Sequence, residues 1–146
     1  MSVHYRERVA KVTFRALRDR PGVAAEVIQL LRQEGYTVLA ASFDSSVGGR
    51  ADFSVIVYES EGVDIRKRRE EIAESTGAKE VIVDSGLAFL EFLDVLDLRA
   101  VLETLANMGI NLEFIALTSG VLGVAIRRNL LEDVLLALHE EVPNAV

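Results

Sequence analysis

The 146-residue chain carries 16 Lys and Arg against 23 Asp and Glu, a formal net charge of −7, and half of its residues are hydrophobic. That balance argues against general nucleic-acid or anionic-membrane binding, and it supplies core for one ordinary domain or two very small ones. The absence of cysteine excludes disulfides and thiolate metal sites. No stretch has the length of a transmembrane helix, and the first eight residues lack the apolar run of a secretory signal, so a soluble cytoplasmic protein is expected.

Ala10, Val12, Phe14 and Ala16 alternate with polar residues, which predicts a half-buried strand over residues 9–17. A helix follows from Pro21 to Glu34, its inner face Val23, Val27, Leu30 and Leu31, closed by Gly35. Residues 36–43 read as a second strand, 44–50 as a turn beside Ser45 and Ser46, and 52–58 as a third strand completing a hairpin. Residues 59–62 read as a break. A sparser helix then spans 63–76, its Arg66–Arg69 run pairing with Glu70, Glu71 and Glu74 at helical spacing. Gly77 closes it, and 79–84 is a fourth strand. The order βαββαβ predicts two helices on a four-stranded antiparallel sheet.

The pattern then restarts. Residues 87–93 predict a strand, Leu98–Met108 a helix capped by Asp97, 110–117 and 121–127 a hairpin, and 129–142 a final helix with Asn129 as cap. Gly35-Tyr36-Thr37-Val38 and Gly109-Ile110-Asn111-Leu112 stand at equivalent places, the mark of a tandem repeat. The expected fold class is α+β, two ferredoxin-like modules over residues 1–78 and 79–146. The second copy shows no last strand before Pro143–Val146. Residues 79–84 shared between modules, Ser2–Tyr5, or another chain are the candidates for that place. Its first strand is apolar on both faces, Leu87, Phe89 and Leu93 against Ala88, Leu90 and Phe92, which predicts a domain or subunit interface and a homodimer.

The chemistry concentrates at Asp19-Arg20-Pro21-Gly22-Val23-Ala24-Ala25, where strand turns into helix. Proline suits a first helical turn. Gly22, without a Cβ, lets a ligand approach the N–H groups of Val23 and Ala24, where the helix dipole favours an anion. Asp19 offers the opposite charge, so a free amino acid could be held by both ends; a plain strand-to-helix turn is the alternative. Catalysis finds little support. His4 and His139 lack spaced partners, Ser45 and Ser46 lack a nucleophile elbow, and Asp97 is better used as a cap than as an acid/base partner of Asp94. No enzyme, metal or cofactor is expected.

Asp19–Ala25, Gly35–Val38, the Lys79–Asp84 link and Gly109–Glu113 together resemble the regulatory part of aspartokinase, a pair of ACT domains, from about Val3 to Glu141. The resemblance implies ACT modules that bind a free amino acid such as lysine or threonine where modules pair side by side. It also implies a last strand exchangeable between modules, an enzyme partner under regulation, and no kinase domain in this chain. Asp19, Gly22, Val23, Ala24 and Asp52 match the family's pattern in the first module, and Asn111 is kept in the second. Thr37 stands in place of Asn, Phe43-Asp44 in place of Gln-Asn, and Val95-Leu96 in place of Pro-Gly. Asp44 could meet a cationic or polar ligand group or simply belong to the turn, and Asp52 could face the ligand or water. The candidate binding residues are therefore Asp19, Pro21, Gly22, Val23, Ala24, Thr37, Asp44, Asp52 and Asn111, with the first module the binder and the second mainly structural. A structural or interaction subunit with a decayed pocket is the competing expectation, and a small enzyme on the same sandwich a third.

Overall fold

A computed structural model describes residues 2–45 and 48–141; the turn tip at Ser46 and Val47, the expected helix end at Val142 and Pro143–Val146 lie outside them. Among the described residues six strands and five α-helices follow in the order β1 (Ser2–Arg18), α1 (Val23–Gln33), β2 (Ala40–Ser45), β3 (Arg50–Tyr58), α2 (Glu59–Lys67), α3 (Arg69–Thr76), β4 (Glu80–Leu93), α4 (Leu98–Asn107), β5 (Phe114–Thr118), β6 (Val121–Arg127) and α5 (Leu131–Glu141). They divide into two units, one of residues 9–85, the other of residues 2–8 with 86–141.

In the first unit the strand order is β2-β3-β1-β4. Ala10, Val12 and Phe14 of β1 and Phe53, Val55 and Val57 of β3 share one face, and onto it pack Val23, Val27 and Leu31 of α1, Ile65 of α2 and Ile72 of α3. The helical period thus meets the strand period across a single apolar layer. The expected inward place of Ala16 is taken by Leu17, which is fully buried. A β-bulge is the reason: Phe14 faces Phe53 but Leu17 faces Ala51, one extra residue in β1.

Four further features differ from expectation. β2 begins at Ala40 rather than at residue 36, because Tyr36 is drawn into the core and residues 37–39 only approach the ladder, through Leu39 N–H to Ile56 O at 2.8 Å. The break expected at 59–62 is the first turn of α2, and the single helix expected to 76 is two, parted at Arg68 with φ −108° and ψ 16°. Of the basic run, Arg68 bonds Glu71 and Glu34, whereas Arg66 donates to Val83 O and Ser85 Oγ. Finally, the two strands expected at 79–84 and 87–93 are one continuous β4.

In the second unit the order is β1-β4-β6-β5. Ala88, Leu90 and Phe92 of β4 and Leu122, Val124 and Ile126 of β6 pack against Val101 and Leu105 of α4 and Leu131, Val134 and Leu138 around α5. Val3 packs on this core and Arg6 Nη1 donates to Glu91 Oε1 at 2.8 Å, so the chain's first residues lie beside β4 where a strand was missing. Leu87 and Phe89, on the other face of β4, are already buried within one chain. Phe89 meets the ring edge of Phe114 at 6.2 Å and lies over Gly123, where a Cβ would come within 2.8 Å of the ring. The two-sided apolarity of β4 therefore needs no second subunit to explain it. β5 starts at Phe114 rather than at 110, and Asn129 lies inside a turn of 3-10 helix, Arg128–Leu130, rather than at a helix cap.

The glycines predicted as equivalent end α1 and α4 identically. Gly35 and Gly109 have φ of 87° and 71°. Their N–H groups donate to Arg32 O and Ala106 O, and those of Tyr36 and Ile110 to Leu31 O and Leu105 O. Both are Schellman ends, and the left-handed residue in each is the one that glycine adopts without strain.

Candidate ligand-binding site

The first strand-to-helix junction is built outward from the β1 bulge. Ala16 sits at φ 53°, a left-handed conformation unfavourable for a residue with a Cβ. Its N–H donates to Asp52 Oδ1 at 2.8 Å, and its carbonyl accepts from Arg50 Nη1 at 3.4 Å. Past the bulge, Asp19 N–H donates to Gly49 O at 2.8 Å, clasping the junction to the β2–β3 turn.

The chain then turns through Arg20 and Pro21 into α1. Pro21 precedes the helix rather than occupying its first turn, and Gly22 is the N-cap, with φ 87° and no side-chain cap. A Cβ at Gly22 would meet nothing within 4 Å, so the backbone angle, not crowding, demands glycine there. The Val23 N–H donates to Arg20 O at 3.2 Å and the Glu26 N–H to Gly22 O at 3.0 Å. The first-turn donors left over are those of Ala24 and Ala25, one residue later than expected.

Two other side chains shape the site. Arg20 forms a two-pronged ion pair with Glu26, whose carboxyl the guanidinium holds below the usual range. Both groups are exposed, so this pair adds little stability, but it leaves the groove without an uncompensated cation. Phe43, on β2, lies with its ring 6.0 Å from that of Phe53, which lies 6.5 Å from Phe14 in the core. Residues 19–25 and Phe43 line an open groove of about 590 Å³. A second groove of about 460 Å³, between α3 and the start of β4, is lined by Arg69, Lys79, Glu70, Glu74 and Glu80, a mixture of both charges.

Of the predicted residues, Asp19, Pro21, Gly22, Val23 and Ala24 meet at the groove. The other four lie elsewhere. Thr37 follows the far end of α1, about 16 Å along an eleven-residue helix. Its N–H is bound by both Glu61 carboxylate oxygens at 3.1 and 3.0 Å. Asp44 and Asp52 are direct cross-strand partners; because Phe43 and Phe53 face the helices, these acids face the opposite side of the sheet. Asn111 is an exposed residue of the second unit, just after the Schellman end of α4. Sequence reasoning did not count Arg20, Ala25 or Phe43 as binding residues. Period two in β2, with Phe43 against Phe53, was the available signal for Phe43.

The equivalent junction of the second unit is closed on itself. Val95 N–H donates to Gly120 O at 3.2 Å, repeating the clasp. There the N-cap is Asp97, whose Oδ1 accepts from Ala100 N–H at 3.1 Å, as predicted for that residue. Leu96 beside it is 95% exposed. Among the described residues no group of three or more His, Cys, Asp or Glu side chains could hold a metal, and no helix is long and apolar enough to cross a membrane.

No protein-family model matches the chain. The aspartate kinase of Pseudomonas putida is 27% identical over 137 residues, 89% of this chain and 33% of that protein. The chain thus spans about a third of the length of the curated relatives it matches. Among solved structures, that of the aspartokinase alpha and beta subunits superposes with a TM-score of 0.81 at 20% identity, covering 98% of both chains. The ligand-free regulatory subunit of aspartate kinase from Thermus thermophilus gives 0.78 at 21% identity, covering 95% of both. The fold is that of the aspartokinase regulatory subunit, α+β with two ACT modules in tandem.

Proposed function

We propose that this chain is a non-catalytic regulatory protein that binds a free amino acid at the first strand-to-helix junction and acts on an enzyme partner. The observation that carries the reading is the contrast between the two junctions. At the second, a carboxylate of the chain itself satisfies the helix start; at the first, a glycine cap leaves amides of α1 open beside the Asp19 carboxylate, in a groove large enough for a small zwitterion. A ligand carboxylate on Ala24 and Ala25 N–H and a ligand ammonium on Asp19 would use both. Asp19, Gly22, Ala24 and Ala25 are the groups assigned to the ligand's backbone. Asp52 and Thr37 are assigned to the bulge and to the end of α1.

The resemblance to aspartokinase regulatory subunits supports a homodimeric, cytoplasmic protein paired with the enzyme it controls. Regulation then requires that the effector bind one arrangement of that assembly more tightly than another. The test is thermal unfolding with each of the twenty amino acids at millimolar concentration, since a ligand confined to the native state raises the midpoint. One or a few amino acids should raise it by several degrees, and Asp19→Ala should abolish the shift while leaving the unliganded midpoint in place. An unchanged shift in Asp19→Ala would remove Asp19 from the site. A second reading, an interaction subunit without an effector, is favoured by the exposed Leu96 and Leu117 of the second unit; it predicts no shift with any amino acid and co-purification with a partner.

A further inference from the structure

The groove combines polar groups with apolar lining. Its polar groups include the Asp19 carboxylate and the first-turn amides of α1. Its apolar lining includes Pro21, Ala25 and Phe43. Phe43 is 40% exposed although it is the outermost member of an aromatic series whose inner members, Phe53 and Phe14, are 2% and 0% exposed. Its free ring surface is therefore where an apolar group could still be taken out of water. Among the described residues, the polar side chains at the groove are those of Asp19 and of Arg20, which is paired with Glu26. Asp44 and Asp52 lie on the other face of the sheet, the Glu26 carboxylate is bound by Arg20, and the Glu61 carboxylate is bound by backbone N–H groups beyond the far end of α1.

We infer that the groove takes an amino acid with an apolar side chain, branched aliphatic or aromatic, and that Phe43 is the residue that selects it. This rests on the amino-acid reading of the same site. An apolar side chain laid on Phe43 removes two hydrophobic surfaces from water. A lysine ammonium or threonine hydroxyl laid on the Phe43 ring would give up part of its hydration and gain no hydrogen bond from that ring. The preference is a difference between ligands that share one backbone, so the Asp19 and α1 contacts cancel in the comparison.

The test is calorimetric titration of the intact chain with leucine, isoleucine, valine, phenylalanine, lysine and threonine, repeated on Phe43→Gln and Phe43→Leu. At least one apolar amino acid should bind about tenfold or more tightly than lysine and threonine. Phe43→Gln should erase that margin, and Phe43→Leu, which keeps an apolar wall, should retain most of it. Far-UV circular dichroism of both variants checks that β2 is kept. Binding of lysine or threonine at equal or greater strength would overturn the apolar selection while leaving the amino-acid site standing. A margin unchanged in Phe43→Gln would overturn the role of Phe43. No binding by any of the six to the unsubstituted chain would overturn the inference, and only silence across all twenty would sink the amino-acid reading beneath it.

Discussion

Asp52→Ala tests whether the β1 bulge is held as the structure shows. Asp52 Oδ1 accepts the N–H of Ala16, which sits at φ 53°. A hydrogen bond to a charged acceptor contributes about 1.5–3 kcal/mol, but Asp52 is exposed and water can replace part of it, so about 1–1.5 kcal/mol is expected. The left-handed conformation of a residue with a Cβ costs a further ~1 kcal/mol or more that this bond helps to offset. Asp44→Ala is the control. It removes the same charge from the directly opposite residue of β2, where like charges face each other, and should be neutral or stabilising by a few tenths of a kcal/mol, roughly. In urea unfolding at pH 7, with a slope of roughly 1–3 kcal/mol/M, Asp52→Ala should lower the midpoint by about 0.5–1 M at unchanged slope, and Asp44→Ala should not lower it. Equal midpoints for the two variants would refute the bulge as the site of Asp52's contribution. A ligand affinity lost in Asp52→Ala at full stability would return Asp52 to the binding set.

Two further perturbations probe the first unit. Gly62, inside α2, faces Ala10 so closely that a Cβ would lie 2.6 Å from the Ala10 Cβ; Gly62→Ala should destabilise by about 1–2 kcal/mol, overpacking of roughly 1–3 kcal/mol less the helix gain, and a raised thermal midpoint would contradict the packing. The Tyr36 hydroxyl donates to Asp64 and accepts from Arg68 at 3.2 Å, and burial first, then the Asp64 bond, raise its pKa above the ordinary 10.0. A raised folded value means stability present in full below pH 10 and lost as pH climbs through the folded pKa. Tyr36→Phe should therefore cost about 1 kcal/mol at neutral pH and flatten the alkaline fall, whereas an unchanged fall would place its origin elsewhere.

Periodicity made legible what depends on local spacing. The inner faces of α1 and α4, both hairpins and the paired glycine ends follow from residues within one turn or one strand of each other. The bulge did not, because Ala16 and Leu17 are both apolar and either could serve as the next inward residue; only pairing with Ala51 and the Asp52 bond decide between them. Glu59-Ser60-Glu61-Gly62 reads as a break in isolation. It becomes a helix start because Glu61 reaches back to Tyr58 N–H and across to Thr37 N–H, a contact that spacing alone cannot show. The same limit governed the site. Asp19 and Gly22 announce themselves by local chemistry, but whether Phe43 or Asp44 faces α1 depends on the register with Phe53 and Asp52.

The two junctions differ in a way that bears on the proposed division into a binding and a structural repeat. Each begins with a backbone N–H clasped to a turn glycine, Asp19 to Gly49 and Val95 to Gly120. From the clasp, three residues reach the cap at Gly22 and two reach the cap at Asp97. The shorter route ends in a residue whose carboxylate bonds Ala100 N–H, supplying the anion that the helix dipole favours. The longer route ends in glycine, which supplies none; the first-turn Glu26 carboxylate is paired with Arg20, and Asp19 stands before the helix start. An effector carboxylate at Ala24 and Ala25 would thus complete in the first unit what Asp97 completes in the second. On that logic Gly22→Asp should lower effector affinity by installing a competing internal anion, despite the strain of φ 87° at that position. Gly22→Ala carries the same backbone strain without the carboxylate, so an affinity loss equal in the two variants would assign the effect to the backbone and refute the exchange of one anion for another.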